Sequence, residues 1–151
     1  MLKLSNQDLI KQQCLIKDGW HAASDAATID VSNPFNGEII GTVPSLTTED
    51  VNDAVAYAHE VQAAWAAKTA QERADLLQKW ADLIDANKED LAIIMTVEQG
   101  KPLGESRGEI GYANSFIRWF AEEGKRVYGD VIPANKSQLR HVILKQPVGV
   151  C

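Results

Sequence analysis

Between Thr47 and Val127 apolar side chains recur at helical spacing in four successive stretches, which commits most of the chain to a helical layer. The first, SLTTEDVNDAVAYAHEVQAAWAAK, opens at Thr47 with Asp50 in the capping-box position. Val51, Val55, Ala58, Gln62 and Trp65 then share one face, with Gln62 its polar break. The second, TAQERADLLQKWADLIDANKE, starts with the box Thr69 and Glu72 and lines Leu76, Leu77, Trp80, Leu83 and Ile84 along one side. The third, NKEDLAIIMTVEQG, reads as capped by Asn87, with Asp90 at its third position and Gly100 as its stop. The fourth, KPLGESRGEIGYANSFIRWFAEEGKRVYG, is the longest and turns Ile110, Ala113, Phe116, Ile117, Phe120 and Val127 toward a buried face. On its early turns Gly104, Gly108 and Gly111 each cost up to about 1 kcal/mol against Ala. They therefore read as places where another backbone or a ligand comes close, tight helix packing being the plainer of the two.

Short β segments flank this helical block. The first fifteen residues read as a helical lead-in capped by Ser5, with Asp8 three positions on. CLIKDGWHAA reads as strand, turn and strand about Asp18-Gly19. In ATIDVSNPFNGEIIGTVP, Ile29 and Val31 alternate with polar neighbours. Asn33-Pro34 and Asn36-Gly37 turn the chain, and Ile39-Ile40 resumes a strand. After the last helix come a short strand, a polar turn at 135–137 and a longer strand from Leu139 to Leu144. Both faces of that last strand are apolar, so both want cover. The fold class is mostly α with small β-hairpins.

Composition excludes several functions. The 151 residues carry a net charge of −6, with no basic stripe to neutralise phosphates, so nucleic acid is not an expected partner. Lys125-Arg126 follows Glu122-Glu123 and reads as charge pairing along a helix. No run approaches the roughly 18 apolar residues of a membrane span, and the start lacks a signal-peptide core. The cytoplasm, with reduced thiols, is the expected setting.

Catalytic motifs are nearly absent. His21, His59 and His141 lie far apart, without metal-ligand spacing. There is no G-x-G-x-x-G turn, P-loop or G-x-S-x-G elbow. Cys151 ends an apolar strand with no base nearby in sequence and reads as an inert thiol. No catalytic or cofactor-binding residue is assigned on this ground.

Four segments, NPFNGEIIGTVP, EQGKP, GEIGYANSFIRWFAEEGKRVYGDVIP and KQPVGV, stand in the order seen in the aldehyde dehydrogenase superfamily. The longest resembles the succinate-semialdehyde dehydrogenases most, with glutarate-semialdehyde dehydrogenases close behind. The resemblance covers essentially the whole chain. It implies the N-terminal helical part of an α/β fold whose members are much longer and bear their nucleophilic Cys and activating Glu downstream. On that resemblance the chain is expected to be a fragment, inactive alone and without a bound cofactor, of an enzyme that oxidises a semialdehyde with NADP or NAD. The alternatives are another aldehyde dehydrogenase, or a stand-alone, non-catalytic oligomerisation module. A miniature nucleotide-binding domain is disfavoured by the missing glycine-rich turn.

The resemblance also implies an organisation and two sites. Residues 1–127 correspond to the hairpins and helices of the cofactor-binding domain, 128–148 to an oligomerisation hairpin that builds a homo-oligomer, and 149–151 to the start of the nucleotide-binding fold. Glu109, Tyr112 and Phe116 match positions lining the substrate tunnel. Glu98 and the backbone near Ser32 match a structural cation site found in some members, with a surface carboxylate at a helix end as the plain reading of Glu98.

Overall fold

The computed structural model describes residues 3–17 and 19–151. Among these residues three two-stranded antiparallel hairpins flank four helices in sequence: β1 (Cys14–Ile16) with β2 (Gly19–His21), β3 (Thr28–Ser32) with β4 (Ile39–Pro44), and β5 (Asp130–Ile132) with β6 (His141–Ile143). Between the second and third hairpins run α1 (Thr48–Ala66), α2 (Ala70–Ala86), α3 (Lys88–Gln99) and α4 (Leu103–Glu123). The mostly helical class with small hairpins holds.

The two threonine capping boxes form as their sequences dictate. Thr47 accepts from the Asp50 N–H while the Asp50 carboxylate accepts from the Thr47 N–H, and Thr69 and Glu72 do the same. One oxygen of Asp50 also accepts from the Ser24 N–H at 3.2 Å and the Ser24 hydroxyl at 3.1 Å, fastening the loop after β2 to the start of α1. These donors, the Thr47 and Ser24 backbone first, pull the Asp50 carboxyl from its ordinary 3.8 to about 2.

Other local expectations are corrected. The lead-in is only a three-residue 3-10 helix, Gln7–Leu9, capped by Asn6 and not by Ser5. Ile16 pairs with Gly19, so Gly19 belongs to β2 and not to the turn; Asp18 lies outside the described residues. Asn87 does not cap α3: its side-chain amide donates back to the Leu83 carbonyl at 2.8 Å, closing α2. Gly100 ends α3 as expected, in the left-handed region at φ 74° that favours glycine. Gly104 and Gly108 face open space, and beside Gly111 lies only the flexible Lys88 side chain, so none marks a close backbone approach. Strand β6 is shorter than Leu139–Leu144. Gly129 is the true close approach, because a Cβ there would run into the Ile143 carbonyl oxygen.

The stripe reading holds only in part: Leu77, Ile84, Ile110 and Ile117 are half-buried, but the fully buried positions belong to smaller residues. Helix α4 packs against both α2 and α3. The fully buried apolar positions in these helices are Ala74 and Ala81 of α2, Ala92 of α3 and Ala121 of α4, joined by Ser106 and Asn114. The expected seam residues Leu76, Trp80 and Leu83 are exposed instead, Leu83 at 63%, and so are Phe116, Phe120 and Val127. Small side chains let the helices approach closely, and polar bonds fill the seam. Asn114 donates to the Ala81 carbonyl at 3.0 Å, and Thr96 and Ser106 join hydroxyls at 2.8 Å. Arg118 reaches Gln78, Asp82 and Asp85 at 2.9, 2.8 and 2.7 Å, and Arg107 grips Glu89 through two nitrogens. Those guanidinium bonds hold the Asp85 and Glu89 carboxyls below their ordinary values and raise the arginines.

Helix α1 makes no extensive contact with the other described helices, and Val51, Val55 and Trp65 stand exposed. The accessible surface is 11035 Å². A compact monomer of 16.6 kDa would expose about 7,600 Å² by the usual scaling.

Two measurements check this account. In urea unfolding, Ala81→Leu overfills the α2–α4 seam and costs about 1–3 kcal/mol, while Leu83→Ala costs under about 0.5 kcal/mol; the reverse order would mean that the large stripe is the core. The Asp50 contribution is complete above pH 3.8 and is lost as pH falls toward 2. A carbon-detected NMR titration of Asp50 should therefore place its midpoint near 2, and a midpoint at 3.8 would dissolve the joint.

Candidate functional site

Helix α4 carries the expected tunnel residues on one exposed side. Tyr112 and Phe116, one turn apart, meet edge to face with ring centroids 4.8 Å apart and planes at 82°. Phe116, Trp119, Phe120 and Ser115 line a shallow, mostly apolar hollow of about 320 Å³ next to that pair. Glu109 stands one turn earlier and is paired with Lys101, which anchors it over the start of the helix. The helix therefore brings Glu109, Tyr112 and Phe116 to one side: a carboxylate, a phenol and an apolar ring in a row. The sequence periodicity did not single out Trp119, although it lies on the same side and is 66% exposed.

Glu98 lies elsewhere. It is exposed at the end of α3 and lines a cleft of about 210 Å³ together with Ile94, Val31, Ile40 and the segment from Leu9 to Gln13. Ser32 sits beside Val31, at the β-bulge where β3 pairs with Ile39. Gly100 packs near Pro34 of the same turn, which brings the end of α3 up to the second hairpin. Among the described residues no three His, Cys, Asp or Glu side chains gather as a metal cluster.

Among the described residues the two thiols lie on different segments of the chain. Cys151 is not in a strand, as the sequence reading had it; it is exposed, with its thiol directed to the Gly149 carbonyl at 3.8 Å. Cys14 is half-buried in β1. A third cleft, of about 540 Å³, is lined by Trp65, Arg73, Lys145 and Pro147 among others. Its Arg73 guanidinium is spent on the Ala66 and Lys68 carbonyls at the end of α1. With no glycine-rich turn and its one arginine engaged, this cleft does not fit a dinucleotide. Lys125 and Arg126 pair with Glu122 and Glu123 at 3.0 and 3.2 Å, as their spacing implied. No helix among the described residues is long and apolar enough to cross a membrane.

Residues 20–151 match the aldehyde dehydrogenase family, and the chain belongs to it. It is 48% identical over 149 residues to the NADP(+) succinate-semialdehyde dehydrogenase GabD of Escherichia coli (strain K12), covering 99% of this chain and 31% of that protein. A glutarate-semialdehyde dehydrogenase of Pseudomonas putida is also 48% identical, with the same coverage. Among solved structures, an aldehyde dehydrogenase from Brucella melitensis biovar abortus 2308 superposes with a TM-score of 0.96 at 54% identity, over 98% of this chain and 31% of that one. The succinate-semialdehyde dehydrogenase from Burkholderia pseudomallei gives 0.96 at 48%, again over 98% and 31%. The fold is thus the N-terminal part of the aldehyde dehydrogenase fold, and the chain spans about 31% of the length of these relatives.

Proposed function

We propose that this chain is the N-terminal helical scaffold of an NAD(P)-dependent dehydrogenase that oxidises succinate semialdehyde to succinate. The observation that carries the reading is the exposed large apolar surface: Leu76, Trp80 and Leu83 on α2, and Phe116, Trp119 and Phe120 on α4. In a scaffold those faces have a further layer to pack against, and the small-residue seam holds the helices together meanwhile. Two relatives supply the substrate class, one named for succinate semialdehyde and one for glutarate semialdehyde. Their equal identity makes glutarate semialdehyde the second reading. The setting proposed is cytoplasmic.

In this reading residues 1–127 belong to the cofactor-binding domain, 128–148 form an oligomerisation hairpin, and 149–151 begin the nucleotide-binding fold. Strands β5 and β6 are exposed throughout, with Val131 and Val142 paired across them, which suits edge-to-edge pairing with a second subunit. Tyr112 and Phe116 form one wall of the aldehyde passage, and Glu109, held by Lys101, lies at its rim. Glu98 and the backbone at Ser32 hold a structural cation. The nucleophile, the water-activating carboxylate and the dinucleotide cradle lie outside this chain, so it neither turns over substrate nor binds cofactor by itself.

The test is a chimera in which these 151 residues replace the matching segment of the Escherichia coli relative. It should fold and oxidise succinate semialdehyde, and Tyr112→Ala should raise KM more than it lowers kcat. A soluble chimera without semialdehyde activity would reject the reading, as would turnover by the 151-residue chain alone. A higher kcat/KM for glutarate semialdehyde would select the second reading. On its own the chain should self-associate as concentration rises, and a clean monomer by light scattering at high concentration would count against the hairpin assignment.

A further inference from the structure

All four helices described carry a carboxylate at the third position, Asp50, Glu72, Asp90 and Glu105, yet only the first two use it for capping. Asp50 and Glu72 reach back to the N–H groups of Thr47 and Thr69. Asp90 does not reach back to Asn87, whose N–H is already taken by the Leu83 and Ile84 carbonyls at 3.1 and 3.2 Å. Asp90 is nevertheless 5% exposed, and a buried carboxylate must find donors. It finds them far away in the sequence: Oδ1 accepts from the Ser5 N–H at 3.0 Å and Oδ2 from the Asn6 N–H at 2.8 Å. The Asn6 amide adds a bond to Asn87 Oδ1 at 3.2 Å.

We propose that Asp90 is a clasp that holds the segment from Ser5 to Gln13 as a strap across α3. Two consecutive backbone N–H groups on one carboxylate make a charge-assisted, directional grip, and the start of α3 favours the negative charge. A second tie fixes the other end of the strap, where Gln12 Oε1 accepts from the Thr42 N–H and the Thr42 hydroxyl, each at 3.1 Å. Between the two ties the strap forms one wall of the cleft described above, through Ile10 and Gln12. Ile94 and Glu98 form the second wall, and Val31 and Ile40 the third. Release of the clasp frees that wall from α3 and widens the cleft beside Ile94 and the already exposed Glu98, so Asp90 governs a closed and an open form of this end of the molecule.

The test compares Asp90→Asn with Ser5→Pro in the 151-residue chain. The first keeps the shape of the clasp and removes its charge; the second deletes a strap N–H and leaves α3 untouched. Amide exchange at Asn6 should accelerate about tenfold or more in both variants while the amides of α3 stay within about twofold. Native-state trypsin cleavage after Lys11 should speed up by a similar factor. Unchanged exchange at Asn6 in Ser5→Pro would overturn the proposal. So would equal acceleration across α3 in Asp90→Asn, which would make Asp90 a support for its own helix and no clasp.

Discussion

Close approach of α4 to α2 and α3 through small side chains is the constraint on which the rest of this structure depends. Ala74, Ala81, Ala92 and Ala121 bury completely, and no Leu, Ile, Val, Phe or Trp is among the fully buried residues described. Burial of alanine alone releases little hydrophobic free energy. Polar bonds across the seam therefore carry an unusual share of its specificity: Asn114 to the Ala81 carbonyl, Thr96 to Ser106, and the forks of Arg107 and Arg118. These groups fix register where bulky knobs would otherwise do so.

The helices were legible in the sequence, and their orientation was not. Capping at Thr47 and Thr69 and the stop at Gly100 are local chemistry, decided within a few residues, and each stands where its signal placed it. The buried face is a tertiary matter. A stripe of large apolar residues announces that something covers it without saying what. On α2 the stripe of Leu76, Trp80 and Leu83 turns away from the sister helices, and the quieter alanine side turns toward them. Asn87 misled for a related reason: it sits at a junction, and its amide closed the helix before it and not the one after.

The candidate site residues were named by the family resemblance, and what the sequence itself made legible is their placement. The spacing of Glu109, Tyr112 and Phe116 puts them on one side of α4, and the two rings do meet. That Glu109 would be engaged by Lys101, and that Trp119 would extend the aromatic row, depends on how the chain enters the helix and on which side stays open. The strap across α3 left no sequence signal at all, since its partners are backbone N–H groups at Ser5 and Asn6, which any residue but proline could supply.

The last hairpin holds a different kind of constraint. At Gly129 the space for a Cβ is already filled by the Ile143 carbonyl oxygen, and every other amino acid brings a Cβ. No missense change at that codon is conservative. Any side chain there has to push the Ile143 carbonyl, and with it β6, out of register with β5, so the pairing of the last two strands hangs on the absence of a single carbon atom.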